Sequence, residues 1–134
     1  MASVTSASLW LTLLSFVLFV SGGQTNITAE PGQTVSLPCK ALNNEPVTVV
    51  EWRRTDMKED EILLLYRDKQ FDPDNQHPSY KNRVDLQDRQ MKDGDVSLIL
   101  NNVTTDDSGT YECRVKTKTN QMTSIIRLDV VPGE

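Results

Sequence analysis

The side chains most able to do chemistry in this sequence are its two cysteines and its single histidine. His77 stands in a polar segment directly before Pro78. A zinc site or a catalytic triad needs several such groups together, and no second histidine is available to join it. Cys39 and Cys113, 74 positions apart, are expected to bond to each other, because both fall on the apolar side of alternating segments.

The acidic residues are better explained by turns than by metal binding. Asp72, Asp74, Asp106 and Asp107 lie among Pro, Asn, Ser and Gly, where Asp commonly forms turns by bonding to its own backbone. Calcium ligation by these residues is the less favoured alternative. The sequence also contains no phosphate-binding glycine loop. We therefore expect no enzyme activity, no metal, no cofactor and no small-molecule substrate.

Two segments have the pattern of acceptors for N-linked glycans. They are Asn26-Ile27-Thr28 and Asn102-Val103-Thr104. Each is modified only if the chain is secreted and the asparagine is exposed. A sequon can also occur by chance and stay empty. Both asparagines are expected at the surface, Asn26 near the start of the mature chain and Asn102 beside a turn.

The first 22 residues are predicted to be a signal peptide. Residues 9–20 are almost continuously apolar, and small residues follow at once, as a signal peptidase requires. A membrane-spanning helix would need about 20 apolar residues. The alternative, a buried core helix, lacks helical periodicity and a cap. Cleavage after Gly22 or Gly23 would deliver the chain to an oxidising compartment, where a disulfide persists.

The rest of the chain is predicted to be one small extracellular domain. The length of 134 residues suits a single domain, and a net charge of −5 argues against nucleic-acid binding. No second long apolar segment follows, so no membrane span is expected in this chain. Residues 132–134 would begin a linker or end the chain. The sequence is then either a secreted single domain or a fragment of a membrane protein.

Apolar residues alternate with polar ones along several short segments, which predicts β-strands. The alternating apolar residues are Val35, Leu37 and Cys39; Val84 and Leu86; Leu98 and Leu100; Tyr111, Cys113 and Val115; Ile126, Leu128 and Val130. Turn-forming residues separate them at 31–32, 43–46, 72–75, 92–95 and 106–109. Turns this frequent leave no room for the helices of a parallel α/β sheet. An antiparallel sandwich or barrel is therefore expected.

The cysteines and a tryptophan narrow the sandwich type. An inward bond between Cys39 and Cys113 would join two packed sheets, and Trp52 lies in an apolar strand where its indole can pack on that bond. This order of Cys, Trp and Cys is typical of immunoglobulin domains. The separation of the cysteines leaves room for two extra strands after Trp52, and residues 61–67 are expected to form the first.

Residues 107–113 carry the pattern D-x-G-x-Y-x-C, in which each position has a predicted structural role. Gly109 is expected to permit a tight start to the strand. Tyr111 is expected to bond through its hydroxyl to backbone upstream. Asp107 is expected to pair with Arg83, since a partly buried Arg–carboxylate pair can close one end of the sandwich.

Together these features resemble the variable-type (V-set) immunoglobulin domain, an all-β Greek-key β-sandwich with one inter-sheet disulfide, over residues 24–131. Residues 77–115 further resemble the amino-terminal V domain of butyrophilin-like proteins and T-cell costimulatory ligands, particularly of the fish type. Residues 122–126 contain no glycine, unlike the glycine bulge of antigen receptors, which argues against an antibody or T-cell-receptor role.

The resemblance implies a cell-surface recognition domain, secreted or on the outer side of the plasma membrane. It would bind a protein receptor on another cell and modulate lymphocyte (T-cell) activation. Homophilic or heterophilic adhesion by a junctional membrane protein is the alternative, and a secreted decoy is a third. A weak homodimer is compatible with each of these functions.

Strand phase predicts which residues face a partner. If Trp52, Tyr111 and Cys113 point inward, their neighbours point outward on one sheet. The predicted partner-binding face consists of Val49, Glu51, Arg53, Tyr66, Glu112, Arg114, Lys116, Ile125 and Arg127. The opposite sheet would present Ser36, Gln87 and Ile99. An ordinary solvated sheet surface is the alternative explanation of the same pattern.

Overall fold

The computed structural model describes residues 24–133, and these form short β-strands joined by turns. In chain order the strands are β1 (Gln24–Ala29), β2 (Val35–Leu37), β3 (Val47–Arg54), β4 (Glu61–Arg67), β5 (Gln70–Phe71), β6 (Val84–Leu86), β7 (Leu98–Leu100), β8 (Gly109–Thr117) and β9 (Gln121–Val130). The helical segments among the described residues are three single 3₁₀ turns, Pro78–Tyr80, Lys92–Gly94 and Thr105–Asp107. The predicted signal peptide, residues 1–22, lies outside the described residues.

The strands form two sheets that pack face to face. The larger sheet has six strands in the order β1-β9-β8-β3-β4-β5, and the smaller has three in the order β2-β7-β6. Neighbouring strands are antiparallel except β1 and β9, which are parallel. The predicted all-β sandwich is confirmed, and β4 and β5 are the two additional strands expected after Trp52.

The core between the sheets is built from the apolar side of the alternating strands. The disulfide joins Cys39, which follows β2, to Cys113 in β8, so the predicted inter-sheet bond is present. Trp52 lies directly across from Cys113 in the β3–β8 register, and both are fully buried. The Trp52 indole nitrogen donates a 2.8 Å hydrogen bond to the Val96 carbonyl, so its polar group is satisfied in the core.

One end of the sandwich is closed by the cluster around Asp107. The Asp107 carboxylate accepts hydrogen bonds from both terminal nitrogens of Arg83, at 2.5 and 3.4 Å. It also accepts one from the Thr104 backbone at 2.9 Å, which completes a capping box on the 3₁₀ turn. The Tyr111 hydroxyl donates to the Asp107 carbonyl at 2.5 Å. Burial raises the pKa of Tyr111 above its usual value, so the hydroxyl remains a donor at neutral pH.

Position 109 requires glycine because neighbouring side chains leave no room for a Cβ atom, and not because of its backbone conformation. Its φ is not in the left-handed region, so a special backbone angle does not explain this glycine. A methyl group at position 109 would lie 2.6 Å from the Asp56 carboxylate and 2.8 Å from the Arg54 side chain. These two residues form a 2.9 Å ion pair, and Asp56 also accepts a hydrogen bond from the Thr110 backbone. Gly109 therefore lets this ion pair lie against the start of β8.

We expect Gly109→Ala to lower the free energy of unfolding by about 1–2 kcal/mol, because the new methyl group displaces Asp56 and breaks its hydrogen bonds. Thermal unfolding of the secreted domain measures this. In an Asp56→Ala background the same substitution should cost much less, because the carboxylate that it meets is gone. Equal costs in both backgrounds would show that the contact with Asp56 is not the reason for glycine.

Candidate functional site

The outer face of the six-stranded sheet carries all of the predicted partner-binding residues except Tyr66. Val49, Glu51 and Arg53 alternate with the buried residues of β3, and their partners on β8 and β9 share the same side of the sheet. We call this surface the outer face. Its members from the prediction are Val49, Glu51, Arg53, Glu112, Arg114, Lys116, Ile125 and Arg127.

Tyr66 does not belong to the outer face, and the prediction that it points outward is wrong. It pairs with Val50, which is fully buried, so its side chain lies on the core side of β4. There its ring packs edge-on against Phe71 with 5.1 Å between ring centres. The outward position belongs instead to Leu65, which pairs with Glu51. The register shifts between Trp52 and Arg53, and this bulge changes which residues of β4 face out.

Arg53 is at the centre of a network of ion pairs on the outer face. Its guanidinium contacts Asp60, lies 3.7 Å from Glu51 and lies 3.9 Å from Glu112. Arg114 binds Glu112 at 2.8 Å and lies 3.9 Å from Glu51. The Arg53 side chain is only 23% exposed. Arg53 therefore organises its neighbours and is not a free cation for a partner.

A shallow depression of about 310 Å³ lies on the outer face between β4 and β8. Val49 and Leu65 supply its apolar surface, and Arg67, Arg114 and Lys116 supply cations around it. Leu65 is 7% exposed although it lies outside the core between the sheets. Lys116 is exposed and makes no ion pair within the described residues. Glu51 and Gln121 complete the lining.

Sequence reasoning missed two apolar residues of the outer face, Ile62 and Leu65. They pair with Arg53 and Glu51, respectively. Residues 62–65 are all apolar, so alternation within β4 cannot reveal which of them point outward. The available signal was indirect, because pairing β4 against the clearly alternating β3 places Leu65 outward once the bulge is known.

The outer face has two unlike sides. The β9 side carries Ile125 and Arg127, and the β4 side carries Leu65 and the depression. Arg127 binds Asp129 on its own strand at 3.2 Å, and Ile125 lies across from Glu112. Asn26 of β1 lies beside Arg127 in the sheet. Asn26 and Thr28 are both exposed, whereas Ile27 between them packs against the core. The first predicted glycan acceptor therefore lies on the same face as the predicted partner-binding residues.

The outer side of the three-stranded sheet carries the residues predicted for it. The Ser36 hydroxyl donates to the Gln87 side chain at 2.6 Å, and Ile99 pairs with Ser36 across the sheet. Asn102, the second predicted glycan acceptor, follows the middle strand of this sheet and is exposed. It lies at the end of the sheet near Arg83, which donates to its carbonyl, and not along an edge strand.

A single carboxylate links two loops at the end of the sheet near the depression. Glu45 accepts hydrogen bonds from Asn43, from Thr117 and from both the backbone and the hydroxyl of Thr119. The Thr119 hydroxyl is the main reason that the pKa of Glu45 is lowered. The loop before β3 and the turn between β8 and β9 are thereby held together in one arrangement.

The groups able to do chemistry in residues 24–133 lie apart from one another or have structural roles. No group of three or more His, Cys, Asp or Glu side chains there could hold a metal ion. His77 contacts Glu61 at 3.4 Å and accepts a hydrogen bond from the Ser79 backbone, so it caps a 3₁₀ turn. No helix in the described part of the chain is long and apolar enough to cross a membrane.

Known proteins resemble this chain in sequence and in structure. The model of the immunoglobulin V-set domain family matches residues 22–131. The Coxsackievirus and adenovirus receptor homolog of Danio rerio is 29% identical over 72% of this chain and 27% of its own length. The CD276 antigen homolog of Xenopus laevis is 30% identical over 68% of this chain and 30% of its own.

A solved structure of bovine butyrophilin has a TM-score of 0.68 and 25% identity, over 81% of this chain and 51% of that one. This chain spans less than a third of the length of the two curated relatives described above.

Proposed function

The chain belongs to the immunoglobulin V-set family of extracellular recognition domains, and we propose that it binds a protein receptor on another cell and modulates lymphocyte activation. Membership of this family, whose receptors and ligands are generally not enzymes, supports binding rather than catalysis. The relatives named as an adenovirus receptor homolog and a CD276 antigen homolog support a place at the cell surface.

The depression on the outer face is the single observation that favours this surface over the opposite sheet as the binding site. Its apolar residues, Val49 and Leu65, lie beside the exposed cation of Lys116, which has no ion pair within residues 24–133, and the exposed guanidinium of Arg114. Such a site suits an apolar side chain of the receptor that is followed or preceded by a carboxylate. Charges at the rim of an interface raise the association rate more than they raise affinity. This arrangement supports fast, weak and transient recognition between cells.

The test compares two double variants of the secreted chain. Each is made as a multivalent soluble fusion, and its binding to resting and to activated lymphocytes is measured. Val49→Asn/Lys116→Glu removes part of the apolar floor and reverses the free cation without touching an ion pair. We expect at least a tenfold loss of cell binding, because the site loses an apolar contact and repels the carboxylate. Changes in T-cell activation on a surface coated with the wild-type chain should disappear with the same variant.

The matched control is Ile99→Asn/Lys92→Glu, which makes the same types of change on and beside the three-stranded sheet. It should bind cells as the wild type does. Both variants should be secreted equally well and unfold at similar temperatures. Loss of binding by the control variant, with full binding by Val49→Asn/Lys116→Glu, would place the receptor on the opposite sheet and contradict the proposal.

Homophilic adhesion is the second candidate, and the near balance of charge on the outer face favours it. Opposite charges alternate there, with Arg53, Arg114, Lys116 and Arg127 interspersed among Glu51, Asp60, Glu112 and Asp129. A surface of this kind can be complementary to a second copy of itself. Beads coated with the chain would then aggregate with one another, and Lys116→Glu would prevent this. Beads that remain dispersed at high coating density would exclude this candidate.

A further inference from the structure

We propose that Asn26 carries an N-linked glycan that covers the β9 side of the outer face and confines a protein partner to the β4 side. The glycan and its position do not depend on the proposed function, whereas the confinement of the partner rests on it. The inference comes from where the fold places the first sequon.

The strand geometry allows the folded protein to accommodate a glycan on Asn26. Successive side chains of a strand point to opposite faces. Asn26 and Thr28 therefore project together, and both are exposed, while Ile27 points into the sandwich. The backbone of β1 is already paired with β9, so a sugar on the Asn26 side chain displaces no part of the sheet.

The glycan would emerge on the outer face, from its edge strand β1. Asn26 is the register partner of Arg127, which lies on the outer face. Neighbouring strands lie about 4.8 Å apart, so the first sugar begins within one strand spacing of Arg127. It begins far from the depression, because Gln121, the residue of β9 that lines the depression, lies at the other end of that strand from Arg127, roughly 20 Å away at about 3.4 Å per residue.

The two sides of the outer face are thus suited to different tasks. A hydrated oligosaccharide over Arg127 and Ile125 obstructs a protein partner there. The depression with Leu65 and Lys116 stays open on the far side. The other sequon belongs to a different part of the surface, because Asn102 follows the middle strand of the three-stranded sheet and lies near Arg83.

The first experiment needs no receptor. It measures whether Asn26 carries a glycan and how strongly that glycan shields Arg127 from a reagent. The full chain is secreted from animal cells, its glycopeptides are mapped by mass spectrometry, and its arginines are modified with phenylglyoxal. We expect Asn26 to be occupied, and Arg127 to react several-fold more slowly than in Thr28→Val, which lacks the sequon. Arg114 should react at the same rate in both proteins. The variant Asn102→Asp, which lacks the other sequon, should leave the rate at Arg127 unchanged.

An unmodified Asn26 in the secreted wild type would overturn the inference, and so would equal reactivity of Arg127 with and without the sequon. A second measurement tests the confinement of the partner. Thr28→Val should bind lymphocytes as the wild type does, because the glycan does not lie where the partner binds. A tenfold or greater rise in binding on loss of the sequon would show that the partner uses the β9 side. If lymphocytes bind neither protein while Arg127 still reacts slowly in the wild type, the proposed function is wrong. The proposal that the Asn26 glycan shields Arg127 is then still supported.

Discussion

Removal of the Cys39–Cys113 bond should abolish secretion of the domain at 37 °C. The bond joins β8 to the end of β2 across the core and closes a long segment of chain, so its loss frees the unfolded state. Loss of such a bond from a small secreted domain typically costs about 2–5 kcal/mol, which approaches the whole stability of a domain of this size. Secretion of Cys39→Ala/Cys113→Ala, measured against the wild type, tests this expectation.

Both cysteines are replaced together so that no free thiol remains to form mixed disulfides. The single variant Cys39→Ala should fail as well, with the added risk of intermolecular bonding through Cys113. A matched control is Ser36→Ala, which lies beside the same strand end but on the solvent side. Normal secretion and cooperative unfolding of the cysteine-free protein would contradict the expected dependence on the bond.

Asp107→Ala should produce the other large loss of stability. The substitution leaves the Arg83 guanidinium without its carboxylate and also removes the acceptor for the Thr104 backbone. Breaking one partner of a buried ion pair costs about 3–5 kcal/mol, and the partial exposure of Arg83 places the expected value at the low end. Denaturant unfolding of the secreted domain measures the loss.

The neighbouring residue provides the control for Asp107. Asp106→Ala removes the same charge one position away, from an exposed side chain in the same 3₁₀ turn. It should change the free energy of unfolding by less than about 0.5 kcal/mol. Equal effects of the two substitutions would show that loss of negative charge near Arg83, and not the specific pair, determines stability.

The fold could be predicted because its signals are local. Alternation in β2, β7, β8 and β9 reports directly which side of each strand is buried, and a fixed period of two leaves little freedom in assigning the faces. Cys39, Trp52 and Cys113 then fix how the two sheets face each other. The sequence contains no such signal in residues 61–67, where apolar residues follow one another without alternation.

The details of the candidate site depend on contacts between distant segments, and these were less predictable. The bulge beside Trp52 decides that Leu65, and not Tyr66, faces outward. Arg53 was expected to be available to a partner, but Asp60 from the loop before β4 binds it. The reason for Gly109 lies in Asp56, which is remote in sequence and close only after the sheet forms.

The central claim, that a partner binds the outer face, is tested most directly by photo-crosslinking on living cells. A photoreactive amino acid is placed at position 121, which lines the depression on the outer face, or at position 87 on the opposite sheet, in otherwise identical secreted chains. After illumination on activated lymphocytes, we expect a crosslinked cell-surface protein from position 121 and none from position 87. Val49→Asn in the same chain should reduce the yield. Crosslinking from position 87 with none from position 121 would contradict the assignment of the outer face as the recognition surface.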